Sequence, residues 1–327
     1  MATADDRAGA EEPPDTDLTE HEPSHLVWQE IEVEGRPARF GSAGEGPPVV
    51  FLHGWGLSNR TYRRALKRLV EQGVRVWAPA LPGFGGTADL PPDRFSLGGY
   101  ASWVVAFLDA VGVGEPVVLM GHSFGGGVAI QVAHDHPDRV RSLVLVNSIG
   151  GSAWRRSGSA VRSMAERPLW DWGIHFPSDI LPLAQVRRVL PVILADAVPN
   201  LVRNPRAVWE VGQLARVADL TFELEELKRR RLPVVVLWGE QDRLVPRASF
   251  EALCEALGGP DCYTVEGSHS WLLADPDAFG EIMTNVVGAA SRAREEERRE
   301  RRRLRWPRRH RRRELASVEH ARPGDER

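Results

Sequence analysis

With 327 residues, 42% of them apolar, and 31 Gly and 24 Pro, the chain suits one large α/β domain plus an insertion, or two ordinary domains, and excludes a fibre or coiled coil. The net charge of −3 hides an asymmetry: residues 1–34 carry eleven Asp and Glu against one Arg, residues 291–314 thirteen Arg against five Glu. The middle is therefore near neutral, and nothing in it selects for a highly charged partner.

Two cysteines, Cys254 and Cys262, make no disulfide framework and match no metal spacing, so they read as buried, inert thiols. Met1 to Pro23 lacks the apolar region of a secretory signal, and no apolar run approaches the roughly 20 residues of a membrane span. A soluble, cytoplasmic protein is the expectation.

Residues 1–25 form an acidic segment, rich in Glu, Asp, Pro and Ala, whose composition predicts disorder. From Val27 to Val33 the alternation of apolar and polar residues predicts a half-buried strand, returned through Glu34-Gly35 as an edge hairpin. Val49 to Leu52 predicts a short buried strand ending at His53-Gly54-Trp55-Gly56, and Thr61 to Gln72 an amphipathic helix. Another strand, Val74 to Pro79, opens into the loop Leu81-Pro82-Gly83-Phe84-Gly85-Gly86-Thr87. Leu97 to Val111 reads as a helix with Tyr100, Val104, Phe107 and Leu108 inward. After the strand Val117 to Met120 and a helix up to His136-Pro137 comes the strand Ser142 to Val146. Continuous apolar strands alternating with helices predict a mostly parallel sheet covered on both faces, with ligands bound beyond the carboxyl ends of the strands.

Between residues 152 and 226 the alternation stops. This stretch is helical in composition, broken by Pro168, Pro177, Pro182, Pro191, Pro199 and Pro205, and reads as a helical insertion over the sheet's mouth. Its Trp154, Trp170, Trp172, Phe176 and Trp209 pack the insertion's own core or line an apolar pocket. The strand Pro233 to Trp238, a helix from Arg247 to Leu257, the strand Cys262 to Val265 and a helix from Pro276 to Ala290, with Asp275 as its N-cap, complete the pattern.

Gly121-His122-Ser123-Phe124-Gly125 follows the buried strand and opens a helix, which fits G-x-S-x-G. The glycines belong there because a side chain at either place would meet the neighbouring strand or helix. An ordinary glycine-rich turn fits the pentapeptide too. A phosphate loop does not, since G-x-x-x-x-G-K-[ST] is absent and the only lysines are Lys67 and Lys228.

Four signals in order settle the choice: His53-Gly54 after one strand, the serine turn at 121–125, Asp242 after another strand, and His269 after the next. Over residues 26–290 the chain resembles an α/β-hydrolase fold enzyme, whose nucleophile, acid and base come in the chain order Ser, Asp, His. The resemblance implies an α/β fold with a mostly parallel central sheet, helices on both faces, and a helical cap. The core would occupy 26–151 and 227–290, the cap 152–226, and an Arg-rich tail 291–327. It also implies Ser123 as nucleophile, His269 as base and Asp242 as the acid that orients it. The backbone N–H groups of Phe124 and Trp55 would hold the oxyanion.

Other histidines fit other places: His53 belongs to the oxyanion turn, His122 should point away from Ser123, and His134 and His136 lie near a helix C-terminus. Asn147, where some family members carry the acid, cannot hold a negative charge. The family loop often begins with Asp where this chain has Ala80. A serine rather than an aspartate at position 123 argues against the dehalogenase and epoxide hydrolase branches.

What the resemblance then implies is a serine hydrolase that cleaves an ester or thioester of a small, largely apolar substrate without cofactor or metal. A carbon–carbon bond hydrolase or a cofactor-free perhydrolase would use the same triad, and a non-catalytic binding protein is the alternative of another class. The Arg-rich tail reads as a solvated segment, as a patch for nucleic acid or anionic lipid, or as a partner for the acidic N-terminal segment.

Overall fold

The computed structural model describes residues 25–151 and 183–286. The acidic N-terminal segment, Trp154, Trp170, Trp172 and Phe176 of the insertion, and the Arg-rich tail lie outside the described residues. Strands β1 (Val27–Val33) and β2 (Arg36–Ala43) form an antiparallel hairpin. The turn between them needs positive φ at both central residues, and Glu34 (50°) and Gly35 (74°) supply it.

The remaining strands are β3 (Pro48–Leu52), β4 (Arg75–Pro79), β5 (Val117–His122), β6 (Val140–Val146), β7 (Val234–Gly239) and β8 (Asp261–Val265). Together they make one eight-stranded sheet in the order β1-β2-β4-β3-β5-β6-β7-β8. From β4 across to β8 every pairing is parallel, while β2 joins β4 antiparallel.

The apolar runs are continuous because both faces are buried. On β3, Val50 and Leu52 face one side and Val49 and Phe51 the other; on β6, Leu143 and Leu145 oppose Val144 and Val146. The first face packs against α2 (Leu97–Ala110) and α3 (Phe124–Asp135), bringing in Phe107, Leu108, Val128 and Ile130. The second packs against α1 (Arg63–Val70) and the last helix, α8 (276–286), through Leu66, Leu69, Phe279 and Met283. Each fully buried side chain of this kind contributes roughly 1.5–3 kcal/mol. Asp275 caps α8, accepting from the Ala278 N–H at 2.9 Å.

Between β6 and β7 the described residues form α4 (Leu183–Arg203), α5 (Pro205–Val217) and α6 (Thr221–Arg230). Pro191 and Pro199 do not break the chain here: both lie inside α4. Pro205 sits at the first position of α5, where its missing N–H removes no helical bond, and Asn204 caps that helix through the Ala207 N–H at 3.1 Å. Trp209 is 60% exposed, so it packs no insertion core.

The cysteines are not thiols. Cys254 of α7 (Arg247–Ala256) and Cys262 of β8 form a disulfide. Gly258 and Gly259, both at positive φ, reverse the chain so that the strand returns beneath the helix. This brings the two Cα atoms to 6.8 Å. The composition could not show that reversal. Among the described residues no helix is long and apolar enough to cross a membrane.

Candidate active site

Because β3 and β5 to β8 run parallel, their carboxyl ends share one edge, and every candidate residue stands just past one of them. His53 to Trp55 follow β3, Ser123 follows β5, Asn147 follows β6, Asp242 follows β7 and His269 follows β8. Ser123 is held at φ 54° and ψ −117°, a conformation that L-residues avoid and that persists only where its surroundings impose it. The surroundings do impose it. A Cβ on Gly121 would lie 2.3 Å from the Gly125 carbonyl oxygen, and one on Gly125 2.3 Å from that of Leu52. The Ser123 N–H donates to the Val146 carbonyl at 3.0 Å, which ties the turn to β6. Helix α3 begins at Phe124; the N–H groups of Gly126 and Gly127 donate to the Ser123 carbonyl at 3.0 and 3.3 Å, while the Phe124 N–H, at the first position, has no acceptor within the helix.

The turn after β3 touches the serine. A Cβ on Gly54 would fall 3.3 Å from Ser123 Cβ. His53 orders this turn from inside: its Nε2 accepts from the Leu81 N–H at 2.8 Å, so Nδ1 carries the proton and donates to the Gly54 carbonyl at 2.9 Å. With both nitrogens engaged it is no general base. Burial holds its pKa down to about 4, against the opposing pull of the Gly54 hydrogen bond and the Asp196 charge.

Asp242 and His269 meet directly, Nδ1 donating to Oδ2 at 2.8 Å, with both side chains buried. That bond fixes the tautomer with the lone pair on Nε2. The second carboxylate oxygen accepts from the N–H groups of Leu244 and Val245, each at 2.8 Å. Asn147, itself at φ 45°, donates to Oδ2 at 2.6 Å, and its amide is oriented by the Trp271 indole N–H, which donates to Oδ1 at 2.8 Å. Asn147 thus holds the Asp242 carboxylate. Sequence reasoning weighed it only as an acid that could not ionise, and Trp271 carried no signal of its own.

His122 packs against His269. Its Nε2 donates to the His269 carbonyl at 2.9 Å, and its Nδ1 accepts from the Tyr62 hydroxyl at 2.9 Å. The Tyr62 oxygen in turn accepts from the Gly54 N–H at 3.2 Å. A continuous chain of hydrogen bonds therefore links the turn after β3 to the backbone of His269. The His122 and His269 rings stand 4.8 Å apart. Burial, with the neighbouring His269, lowers the His122 pKa to about 3, so it stays neutral.

Ala80, where the resembling family often carries Asp, is fully buried and donates its N–H to the Arg39 carbonyl at 2.8 Å. A cavity of about 590 Å³ opens beside Asp242, lined by Trp238, Glu240, Arg243, Pro246, Arg247 and Thr264. It lies on the acid's side, and Ser123 and His269 do not line it.

Comparison with known proteins agrees with this fold. A family model described as alpha/beta hydrolase family matches residues 49–282. The chain is 28% identical over 257 residues to a pimeloyl-[acyl-carrier protein] methyl ester esterase of Aeromonas hydrophila, covering 75% of this chain and 97% of that one. It is 24% identical over 288 residues to a 2-hydroxymuconate semialdehyde hydrolase of Pseudomonas putida, covering 81% and 95%. A crystal structure of bromoperoxidase from Bacillus anthracis superposes with a TM-score of 0.66 at 19% identity, over 80% of this chain and all of that one, which shows a shared fold. The chain belongs to the alpha/beta hydrolase family of enzymes.

Proposed function

We propose that the chain is a serine hydrolase that cleaves a carboxylic ester or thioester of a small, largely apolar substrate through an acyl-enzyme. His269 Nε2 takes the proton of the Ser123 hydroxyl as Oγ attacks the carbonyl carbon, and returns it to the leaving alcohol or thiol. Asp242 holds the imidazole in that tautomer and stabilises the imidazolium. The N–H groups of Phe124 and Trp55 receive the charge that develops on the carbonyl oxygen. Water then attacks the acyl-enzyme by the same steps in reverse order. These steps draw only on side chains and backbone groups already named.

What supports this reading is a serine forced into a strained turn by its glycine neighbours, at the same sheet edge as a His–Asp pair hydrogen-bonded at 2.8 Å. The esterase relative is consistent with it. We take residues 152–226 as a cap over the mouth, 26–151 and 227–290 as the core.

Turnover of short-chain p-nitrophenyl esters tests the reading. Wild-type enzyme should hydrolyse them, with Ser123→Ala and His269→Ala each losing at least 10³-fold in kcat. Equal turnover by the wild type and Ser123→Ala would refute the assignment.

A further inference from the structure

We propose that α4 and α5 are a brace that positions the oxyanion turn, and so belong to the catalytic machinery rather than to a detachable lid. This rests on the assignment of the Trp55 N–H as an oxyanion donor. Asp196 and Asn200 lie one turn apart on α4, Asn204 is the cap between the two helices, and Val208 lies in the first turn of α5. Each of the four meets one of the loops that frame the site.

Asp196 accepts from the Ser58 N–H at 2.6 Å, from the Ser58 hydroxyl at 2.9 Å, and from the Thr61 hydroxyl. Asn200, 5% exposed, donates to the Gly56 carbonyl at 3.2 Å and accepts from the Gly85 N–H at 3.1 Å. Asn204 donates to Asp89 at 2.6 Å. The Val208 carbonyl accepts from the Trp55 indole N–H at 2.6 Å. One turn further on, Gly212 leaves room for the Trp55 ring, which a Cβ there would approach to 3.0 Å.

The consequence falls on one peptide plane. The Gly54 carbonyl and the Trp55 N–H share a rigid amide, so their directions are fixed together. On the core side His53 holds that carbonyl and Tyr62 the Gly54 N–H. On the far side the next anchors along the chain are the Trp55 side chain, the Gly56 carbonyl and the Ser58 N–H, and all three are held by α4 and α5. The geometry of the donor is therefore set between the core and this pair of helices. Swinging the helices away would break these hydrogen bonds together and release the donor.

The test compares Asp196→Ala, Ser58→Ala and the double variant with wild type by hydrogen exchange and by ester kinetics. In Asp196→Ala the backbone amides of residues 54–61 should exchange at least tenfold faster, with β5 and α3 unchanged. The same variant should lose at least tenfold in kcat while KM stays within threefold. The double variant should be no worse than Asp196→Ala alone. Unchanged exchange at 54–61 overturns the brace whatever the catalytic outcome. Faster exchange with unchanged kcat, or with only a lower melting temperature, leaves the helices a merely structural role and overturns the proposal as well. A wild-type protein without ester turnover would refute the hydrolase reading instead, and exchange would still decide whether the turn is braced.

Discussion

Two histidines near the serine are buried and neutral, and this has a signed effect on stability. In the unfolded chain each ring would bind a proton near pH 6.5, but in the fold only near 4 for His53 and near 3 for His122. Between those values the unfolded state holds more protons, so their stabilisation is complete above pH 6.5 and is lost as pH falls toward the folded values. Each ring adds a slope of about 1.4 kcal/mol per pH unit in that window. Urea midpoints measured between pH 5 and 6 should fall with pH, and His122→Asn should show a shallower fall; an identical slope would contradict the neutral assignment. Asn147 invites a second measurement. Asn147→Ala removes a hydrogen bond to a buried carboxylate and should destabilise by about 1.5–3 kcal/mol in chemical denaturation. A change below a few tenths would mean that Asp242 does not depend on it.

At the scale of elements, the sequence already held the order of strands and helices, because buried parallel strands and amphipathic helices have different periods. The residues of the serine turn were legible for a similar reason: their constraint is local. A Cβ on Gly125 would lie within 2.6 Å of two carbonyl oxygens, so Gly125→Ala should cost about 3 kcal/mol and shift the urea midpoint accordingly. Contacts made across the chain left no such trace. Tyr62 meets His122 from 60 positions away, Asn147 meets Asp242 from 95, and Ser58 meets Asp196 from 138. No window of sequence contains both partners, and no periodic pattern marks either. The disulfide was missed on a different ground: its cysteines share one window of sequence, but only the turn at Gly258-Gly259 aligns its halves. Bridging residues eight apart, it should stabilise by about 2–3 kcal/mol on the chain-entropy account. Thiol titration of the unreduced, denatured protein should find no free cysteine, and reduction should lower the melting temperature; two titratable thiols would contradict the pairing.

Across the whole molecule, the parallel sheet delivers six strand ends to one edge, and the candidate site is assembled there from segments far apart in sequence. Ser123, Asp242 and His269 each follow a different strand, and a hydrogen-bonded chain through Tyr62 and His122 joins the turn after β3 to the backbone of His269. The proposed brace of α4 and α5 suits substrates met as single molecules. The rate on esters of increasing chain length should follow a smooth saturation curve through the solubility limit, and a jump on passing that limit would show a lid that opens at an interface. The central claim is that Ser123 is the nucleophile. Treating the folded protein with a fluorophosphonate and mapping the modified peptide by mass spectrometry tests it most directly. The account predicts one phosphonyl group per chain, on Ser123, with labelling abolished in Ser123→Ala and strongly slowed in His269→Ala. A protein left unlabelled, or labelled at another residue while Ser123 stays unmodified, would contradict it.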